Sequence, residues 1–150
     1  MATRRIHQQE LTERTSAEHH AISGCLAGLE ASLASPGTPA WRRAVESELA
    51  PLIACLAGHA ESAESQTGLL AEIEITLGRS HEVTTARRLH ASAWRQASEL
   101  SDILADAGNV VADNDVVMHG RRLASAIQRH HELEADLILM AFDQDIGTVD

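Results

Sequence analysis

A histidine and a glutamate one helical turn apart interrupt an otherwise apolar stripe near the end of the chain. Its steps of three and four residues place side chains on one face of an α-helix: Leu123, Ile127, His130, Glu134, Leu137 and Ala141. Burying an imidazole and a carboxylate costs several kcal/mol unless they are paired or bind a metal. The stripe therefore predicts part of a metal site, with further ligands elsewhere in the chain.

Three earlier segments have apolar stripes of the same spacing, and each stripe includes one histidine. These are His19, three residues before the stripe Ile22, Leu26, Leu29 and Leu33; His59, in Val45, Leu49, Leu52, Leu56, His59 and Ala63; and His90, in Val83, Ala86, His90, Ala93, Ala97, Leu100 and Leu104. Nine histidines in 150 residues call for a reason. Four imidazoles meeting Glu134 inside one core would account for four of them.

Helices must carry these stripes, because alanine and leucine are abundant and only three prolines occur. The predicted helices are about Glu10–Ser35, Pro39–Glu64, His81–Ala107 and Asp113–Phe142, with a short helical segment, Leu69–Leu77, between the second and third. Mostly short loops favour an all-α, up-down-up-down four-helix bundle. We expect a single domain over residues 1–150, with an extended tail at 143–150.

Local signals set the predicted helix ends. Thr38 and Ser80 are expected N-caps, and residues 113–115 (Asp-Asn-Asp) offer caps for the last helix. Pro51 falls inside the second helix and should kink it or open it locally.

The net charge and composition argue against some classes of binding partner. With 12 basic and 22 acidic residues the formal charge is −10, which repels phosphate backbones, so no nucleic acid is expected. No apolar run approaches the roughly 20 residues that span a bilayer, and the first residues lack an apolar signal core. We therefore expect no membrane and a cytoplasmic location. Cys25 and Cys55 lack Cys-x-x-Cys spacing and are interpreted as reduced, small core residues.

The donor types indicate the metal chemistry. Imidazole suits iron, zinc and copper, and an added carboxylate shifts the preference towards iron or manganese. A histidine-rich site leaves few compensating charges and can leave a coordination position open. Binding of oxygen, peroxide or nitric oxide is the natural chemistry of such a site.

Over almost its whole length the sequence resembles the hemerythrin-like (HHE cation-binding) domains. The matching segments are Glu18-His19-His20-Ala21-Ile22, Gly58-His59 through Gly68-Leu69-Leu70-Ala71-Glu72-Ile73, Leu89-His90, and His130-His131-Glu132-Leu133-Glu134 followed by Ala141-Phe142-Asp143-Gln144-Asp145-Ile146-Gly147. The resemblance implies a non-haem iron centre, expected to be di-iron. Its ligands would be four imidazoles, a bridging carboxylate and a second carboxylate: His19, His59, His90, His130, Glu134 and Glu64.

Two positions depart from the family pattern. Leu89 stands where the family usually has glutamate, and the departure at Ala63 bears directly on the metal centre. The family places a bridging glutamate four residues after its second histidine, and that position is Ala63 here. Glu64 and Glu61 lie nearby, but neither points where Ala63 points on a helix. The centre could be mononuclear, reorganised, weak or lost.

Three hypotheses follow from these patterns. The first is an iron protein that binds or senses oxygen, peroxide or nitric oxide, with no catalytic residues assigned. The second is a bundle that has lost its metal and acts as an interaction or structural module. The third is an enzyme that turns over peroxide or nitric oxide at a single metal. A protein partner or a homodimer stays open, and His81 is a reserve ligand.

Overall fold

The computed structural model describes residues 2–78, 80–106 and 112–143. It contains four long helices and one short helix, followed by a π-helical turn. Their bounds are α1 Ala2–Leu33, α2 Pro39–Glu64, α3 Leu69–Leu77, α4 Ser80–Ala105, α5 Asp113–Ile138 and the π-helical turn Leu139–Asp143. No strand occurs among the described residues, and the predicted all-α four-helix bundle is confirmed.

Side-chain contacts show the helix directions. The indole Nε1 of Trp41, near the start of α2, donates to the backbone oxygen of Ser32, near the end of α1, at 2.6 Å. Arg42 pairs with Asp113 where α2 and α5 both begin, at 2.9 Å. Hence α2 is antiparallel to α1 and parallel to α5, as an up-down-up-down bundle requires.

α1 begins at Ala2 rather than at the predicted Glu10. The extra turns are held by tertiary contacts, since Gln8 is buried and Arg4 pairs with Glu72 of α3 at 3.0 Å. Periodicity alone could not show this, because the stripe of α1 was traced only from its apolar residues. The predicted end of the third helix at Ala107 and the tail residues 144–150 lie outside the described residues.

The predicted helix ends were right in part. Thr38 caps α2 by accepting a hydrogen bond from the backbone nitrogen of Trp41 at 3.1 Å. The residue before α5 is instead Ala112, which provides no side-chain cap, so the prediction of a cap from residues 113–115 is wrong. Asp113 accepts hydrogen bonds from Arg42. The α-helix α2 runs unbroken through Pro51, so no local opening interrupts it.

A polar layer divides the core into two apolar clusters. The first apolar cluster has as its buried members Ile22, Leu26, Leu29, Leu33, Trp41, Val45, Leu49, Leu52, Leu56, Ala93, Ala97, Leu100, Val116, Leu123 and Ile127. The second apolar cluster comprises Leu11, Ala63, Leu69, Leu70, Ile73, Val83, Ala86, Leu137, Ala141 and Phe142. On each long helix a histidine falls between the two, so the bundle holds its imidazoles at one level. In the described ranges no helix has the length and apolar character needed to cross a membrane.

Candidate metal centre

The carboxylate of Glu134 is fully buried, and it is the point at which four histidines meet. Its Oε1 atom lies 2.8 Å from Nε2 of His19 and 2.7 Å from Nε2 of both His59 and His130. Its Oε2 atom lies 3.1 Å from Nε2 of His90. The expected convergence of four imidazoles on one acidic side chain is therefore present in the structure.

Each long helix contributes one of these rings. His19 comes from α1, His59 from α2, His90 from α4 and His130 from α5, which also carries Glu134. The side chains of His59 and His130 are 1% exposed and that of His90 is 3% exposed, whereas that of His19 is 17% exposed. The cluster side chains on α2, α4 and α5 are therefore buried, and the cluster is accessible to solvent beside α1.

A second carboxylate orients one of the rings. Oε1 of Glu18 lies 3.2 Å from Nδ1 of His59 and also accepts from the hydroxyl of Ser62 at 3.3 Å. Such an outer carboxylate fixes the ring and directs its other nitrogen towards a metal. The carboxylate–imidazole pair is thus arranged as at many metal-ligating histidines.

The contacts within the cluster shift the pKa values of His59 and Glu134 in opposite directions. Burial disfavours the charged ring of His59, but hydrogen bonds and charge attraction to Glu134 and Glu18 outweigh it and raise the pKa of His59. Burial also opposes ionisation of Glu134, yet the imidazole hydrogen bonds hold the pKa of that carboxyl far below its usual range. Glu134 is an anion, and without a metal a protonated His59 can donate to both glutamates.

Two other rings are held neutral. Burial lowers the pKa of His130 despite its hydrogen bond to Glu134. Burial, with the neighbouring rings of His19 and His130, lowers the pKa of His131 to about 3. A neutral imidazole keeps a nitrogen lone pair, which is the form that binds a metal.

The spacing of the donor atoms fits one metal ion. Ligand atoms of His19, His59, His130 and Glu134 all lie within 4.8 Å of one another. Nε2 of His59 and Nε2 of His130 are 3.2 Å apart. Metal–nitrogen bonds of about 2.1 Å separate neighbouring ligands by about 3.0 Å in an octahedron and about 3.4 Å in a tetrahedron. The buried His/Glu cluster could therefore hold a metal ion.

Two ring nitrogens of the cluster are buried without a hydrogen-bond partner. Nδ1 of His130 and Nδ1 of His90 are buried and have no hydrogen-bond partner. Neutral rings that donate from Nε2 to Glu134 would leave these Nδ1 lone pairs buried without a donor, at a cost of about 1–3 kcal/mol each. A metal on Nε2 would move the ring proton to Nδ1.

Glu64, predicted as a ligand, is not brought into the cluster. Its Oε1 lies 3.7 Å from Nδ1 of His90, the nitrogen that faces away from Glu134. Ala63 is buried in the second apolar cluster, so a methyl group packs where the family pattern has a glutamate. The reserve ligand His81 is exposed at the first turn of α4.

Sequence reasoning did not predict the contacts that two further residues make with the ligand rings. Glu18 is the residue that holds His59, and its spacing of four residues from Ile22 places it beside the α1 stripe, a signal that was present in the sequence. His131 stacks on His19 with ring centroids 4.0 Å apart and planes 19° apart. No spacing rule indicated that stacking, because it joins α1 to α5.

The chain was also compared with known proteins. No family model, curated protein or solved structure matches it. The geometry of the site is therefore the basis for any functional conclusion.

Proposed function

We propose that the chain is a hemerythrin-like, non-haem iron protein that binds or senses oxygen, peroxide or nitric oxide. The observation that carries the proposal is the buried Glu134 carboxylate with one imidazole from each of four helices at 2.7–3.1 Å. Imidazole and carboxylate together are the donor set of non-haem iron sites. The order and spacing of the motifs support the resemblance to the hemerythrin-like family.

The two oxygens of Glu134 suggest two binding positions of unequal strength. Oε1 faces His19, His59 and His130, a complete set for one ion. Oε2 lies 3.1 Å from Nε2 of His90 and 3.3 Å from Nε2 of His59, a ring that Oε1 approaches more closely at 2.7 Å. A second ion bridged by Glu134 would therefore have His90 as the one cluster ring among the described residues that the first ion does not use. We therefore propose one firmly held iron. A di-iron centre would be completed by a weaker second ion.

Charge balance favours a cation in this place. Glu134 is an anion among rings that are neutral when they bind a metal, so the five nearest side chains carry one negative charge. Glu18 and Glu64 add carboxylates behind His59 and His90. A divalent ion would be compensated in a core that otherwise excludes charge.

The shape of the site favours a small ligand. His19 is the most exposed of the five, and its ring stacks on His131 at the solvent side. The iron would supply an electron and an open position for a diatomic molecule or peroxide. The protein would orient the rings, exclude bulk water with the two apolar clusters, and admit small molecules beside α1.

Iron loading of matched variants tests the proposal. The protein would be loaded with ferrous iron without oxygen, freed of unbound iron, and analysed for its metal-to-protein ratio. His19→Ala removes a cluster ring, whereas His20→Ala removes the exposed ring beside it on α1. We expect about one equivalent in the native chain and in His20→Ala, and on the order of 100-fold weaker binding in His19→Ala.

Admission of air then tests the ligand chemistry. An absorption change that appears in the iron-loaded native chain and His20→Ala, and is lost in His19→Ala, supports binding of oxygen at the cluster. Less than a tenth of an equivalent of iron in the native chain, with zinc or manganese also failing to bind, would refute the metal proposal.

His90→Ala addresses the number of ions. It leaves the three rings around Oε1 intact and removes the ring that lies nearest to Oε2. Retention of one equivalent in this variant, with any second equivalent lost, supports the unequal positions. Loss of the first equivalent would show that all four rings serve a single ion.

Two other functions stay as alternatives to this proposal. Ala63 motivates the metal-free interaction or structural module, in which His130→Ala and Glu134→Ala would cost stability or partner binding but would not change the metal content. The partial exposure of His19 motivates an enzyme acting on peroxide or nitric oxide. Turnover of peroxide or nitric oxide by iron-loaded protein, absent in His19→Ala, separates the enzyme from a carrier or sensor.

A further inference from the structure

Cys25 and Cys55 lie side by side on neighbouring helices. Their Sγ atoms are 3.9 Å apart, one on α1 and one on α2. Both thiols are free and partly exposed, and both pack at the edge of the first apolar cluster. The sequence alone suggested two separate, inert core residues, but the structure makes them a pair.

The helix register fixes this pairing. On one side of the thiols, Ser62 of α2 contacts Glu18 of α1, and on the other side Trp41 of α2 donates to Ser32 of α1. These contacts hold the two antiparallel helices in register along their shared length. The thiols therefore face each other because of the packing of whole helices.

We propose that Cys25 and Cys55 form a reversible intramolecular disulfide by exchange with a low-molecular-weight disulfide. One protein thiol loses its proton, attacks the small disulfide and forms a mixed disulfide, and the first small thiolate leaves and takes up a proton. The other protein thiol then attacks the mixed disulfide sulfur on the protein, which forms the Cys25–Cys55 bond and releases the second small thiol. The pair loses two electrons and two protons, and the small disulfide becomes two thiols.

The separation of the sulfurs and the pKa of the thiol set what closure requires. A disulfide bond is about 2.05 Å long, so the sulfurs, 3.9 Å apart as thiols, must approach by about 2 Å. Burial, with the contact to Cys55 and the charge of Glu48, raises the pKa of Cys25. The pair therefore rests as thiols at neutral pH and needs an added oxidant.

The bond would join the helices that carry two cluster histidines. Cys55 lies four residues before His59 on α2, about 6 Å along the helix, and Cys25 lies six residues after His19 on α1. Closing a loop between positions 30 residues apart restricts the unfolded chain. The proposal stands on the thiols alone and does not depend on iron.

Mass spectrometry on the full chain tests the proposal. Native protein would be incubated with oxidised glutathione, quenched, and alkylated in denaturant. We expect loss of two hydrogens, no alkyl adduct, a crosslinked peptide containing both cysteines, and full reversal by dithiothreitol. The midpoint of thermal unfolding should rise by about 5–10 °C on closure.

Two single variants provide the matched control. Cys25→Ser and Cys55→Ser each keep one thiol, so glutathione should remain attached to the single cysteine. The proposal is overturned if the native chain also keeps attached glutathione, forms intermolecular dimers, stays reduced, or closes only when unfolded in urea.

Discussion

Glu134 and Glu72 are both buried carboxylates, but different kinds of donor surround them. Glu134 meets one imidazole from each of the four long helices at the level between the two apolar clusters. Glu72, at the end of the bundle, accepts from the guanidinium of Arg4 at 3.0 Å and from the amide of Gln8 at 3.1 Å. Both donors come from α1, where they are four residues, or about one helical turn, apart.

The donor chemistry separates a candidate site from a structural contact. A guanidinium stays protonated and an amide nitrogen offers no free lone pair, so the nitrogens of Arg4 and Gln8 that face Glu72 cannot bind a metal. Imidazoles can release a proton and bind through nitrogen. Burial of a carboxylate is common to both places, so the partners of Glu134, rather than its burial, indicate the function.

The largest expected effect comes from exchanging the Glu134 carboxylate for an amide. Glu134→Gln keeps the shape of the side chain but removes the charge at the centre of the four rings. We expect iron affinity to fall on the order of 100-fold or more, because a ligand and its compensating charge are both lost. Equilibrium binding of ferrous iron without oxygen measures this.

Glu72→Gln is the matched control for that experiment. It also replaces a buried carboxylate by an amide, but among donors that do not bind metals. Its iron affinity should equal that of the native chain. Equal losses of iron in the two variants would show that general destabilisation, rather than ligation by Glu134, explains the effect.

The second prediction concerns thermal stability. A metal that binds only the folded chain stabilises it by about 2.7 kcal/mol at 100 times its dissociation constant, which raises the unfolding midpoint by about 5–11 °C. Native protein and Glu72→Gln should both show this rise on adding ferrous iron. Glu134→Gln should not, and calorimetry under nitrogen measures the three together. A rise in Glu134→Gln as large as in the native chain would place the metal elsewhere.

The contrast between these carboxylates also shows what the sequence could reveal. His130 and Glu134 were predicted to be buried because each occupies a station of a periodic apolar stripe, and periodicity depends only on helix geometry. The same reasoning correctly placed His59 and His90 inside. The four-helix bundle and the position of the histidine cluster along it could be predicted in this way.

Contacts between helices were not accessible by the same reasoning. The pairing of Glu72 with Arg4, and of Glu18 with His59, depends on how far one helix slides along another, which no single stripe reports. For the same reason the early start of α1 was missed. Cys25 and Cys55 were judged separately, and only the register of α1 against α2 brings their sulfurs together.

The third prediction is that the free energy of unfolding falls in acid because of His131, which lies beside the imidazole cluster. Because the pKa of His131 falls from 6.5 to about 3 on folding, the unfolded chain binds this proton first. Its stabilising contribution is complete above pH 6.5 and is lost as the pH falls towards 3. His130, whose pKa is also lowered, acts in the same direction, whereas the raised pKa of His59 opposes it.

His131→Phe isolates the contribution of that ring. Phenylalanine keeps a planar ring to stack on His19 but cannot titrate. In chelator-treated protein, the free energy of unfolding of the native chain should fall by on the order of 1–2 kcal/mol more than that of the variant between pH 6.5 and 4. This value is reduced for solvent screening, because the ring is only partly buried. Urea unfolding at each pH gives the two slopes, and parallel slopes would contradict the assignment.

The smallest expected effect is at Glu72. Arg4→Ala removes a guanidinium whose side chain is 48% exposed, and Gln8 still donates to the carboxylate. A half-exposed ion pair contributes about 0.5–1 kcal/mol to the free energy of unfolding, so the loss should lie in that range, with unchanged iron content. Arg5→Ala, at an exposed neighbouring position, provides the baseline for urea unfolding. A loss above about 2 kcal/mol would mean that Glu72 depends on Arg4 as a fully buried charge depends on its partner. A loss of iron in Arg4→Ala would mean that the contacts of Glu72 affect metal binding at Glu134, which contradicts the distinction drawn from their donors.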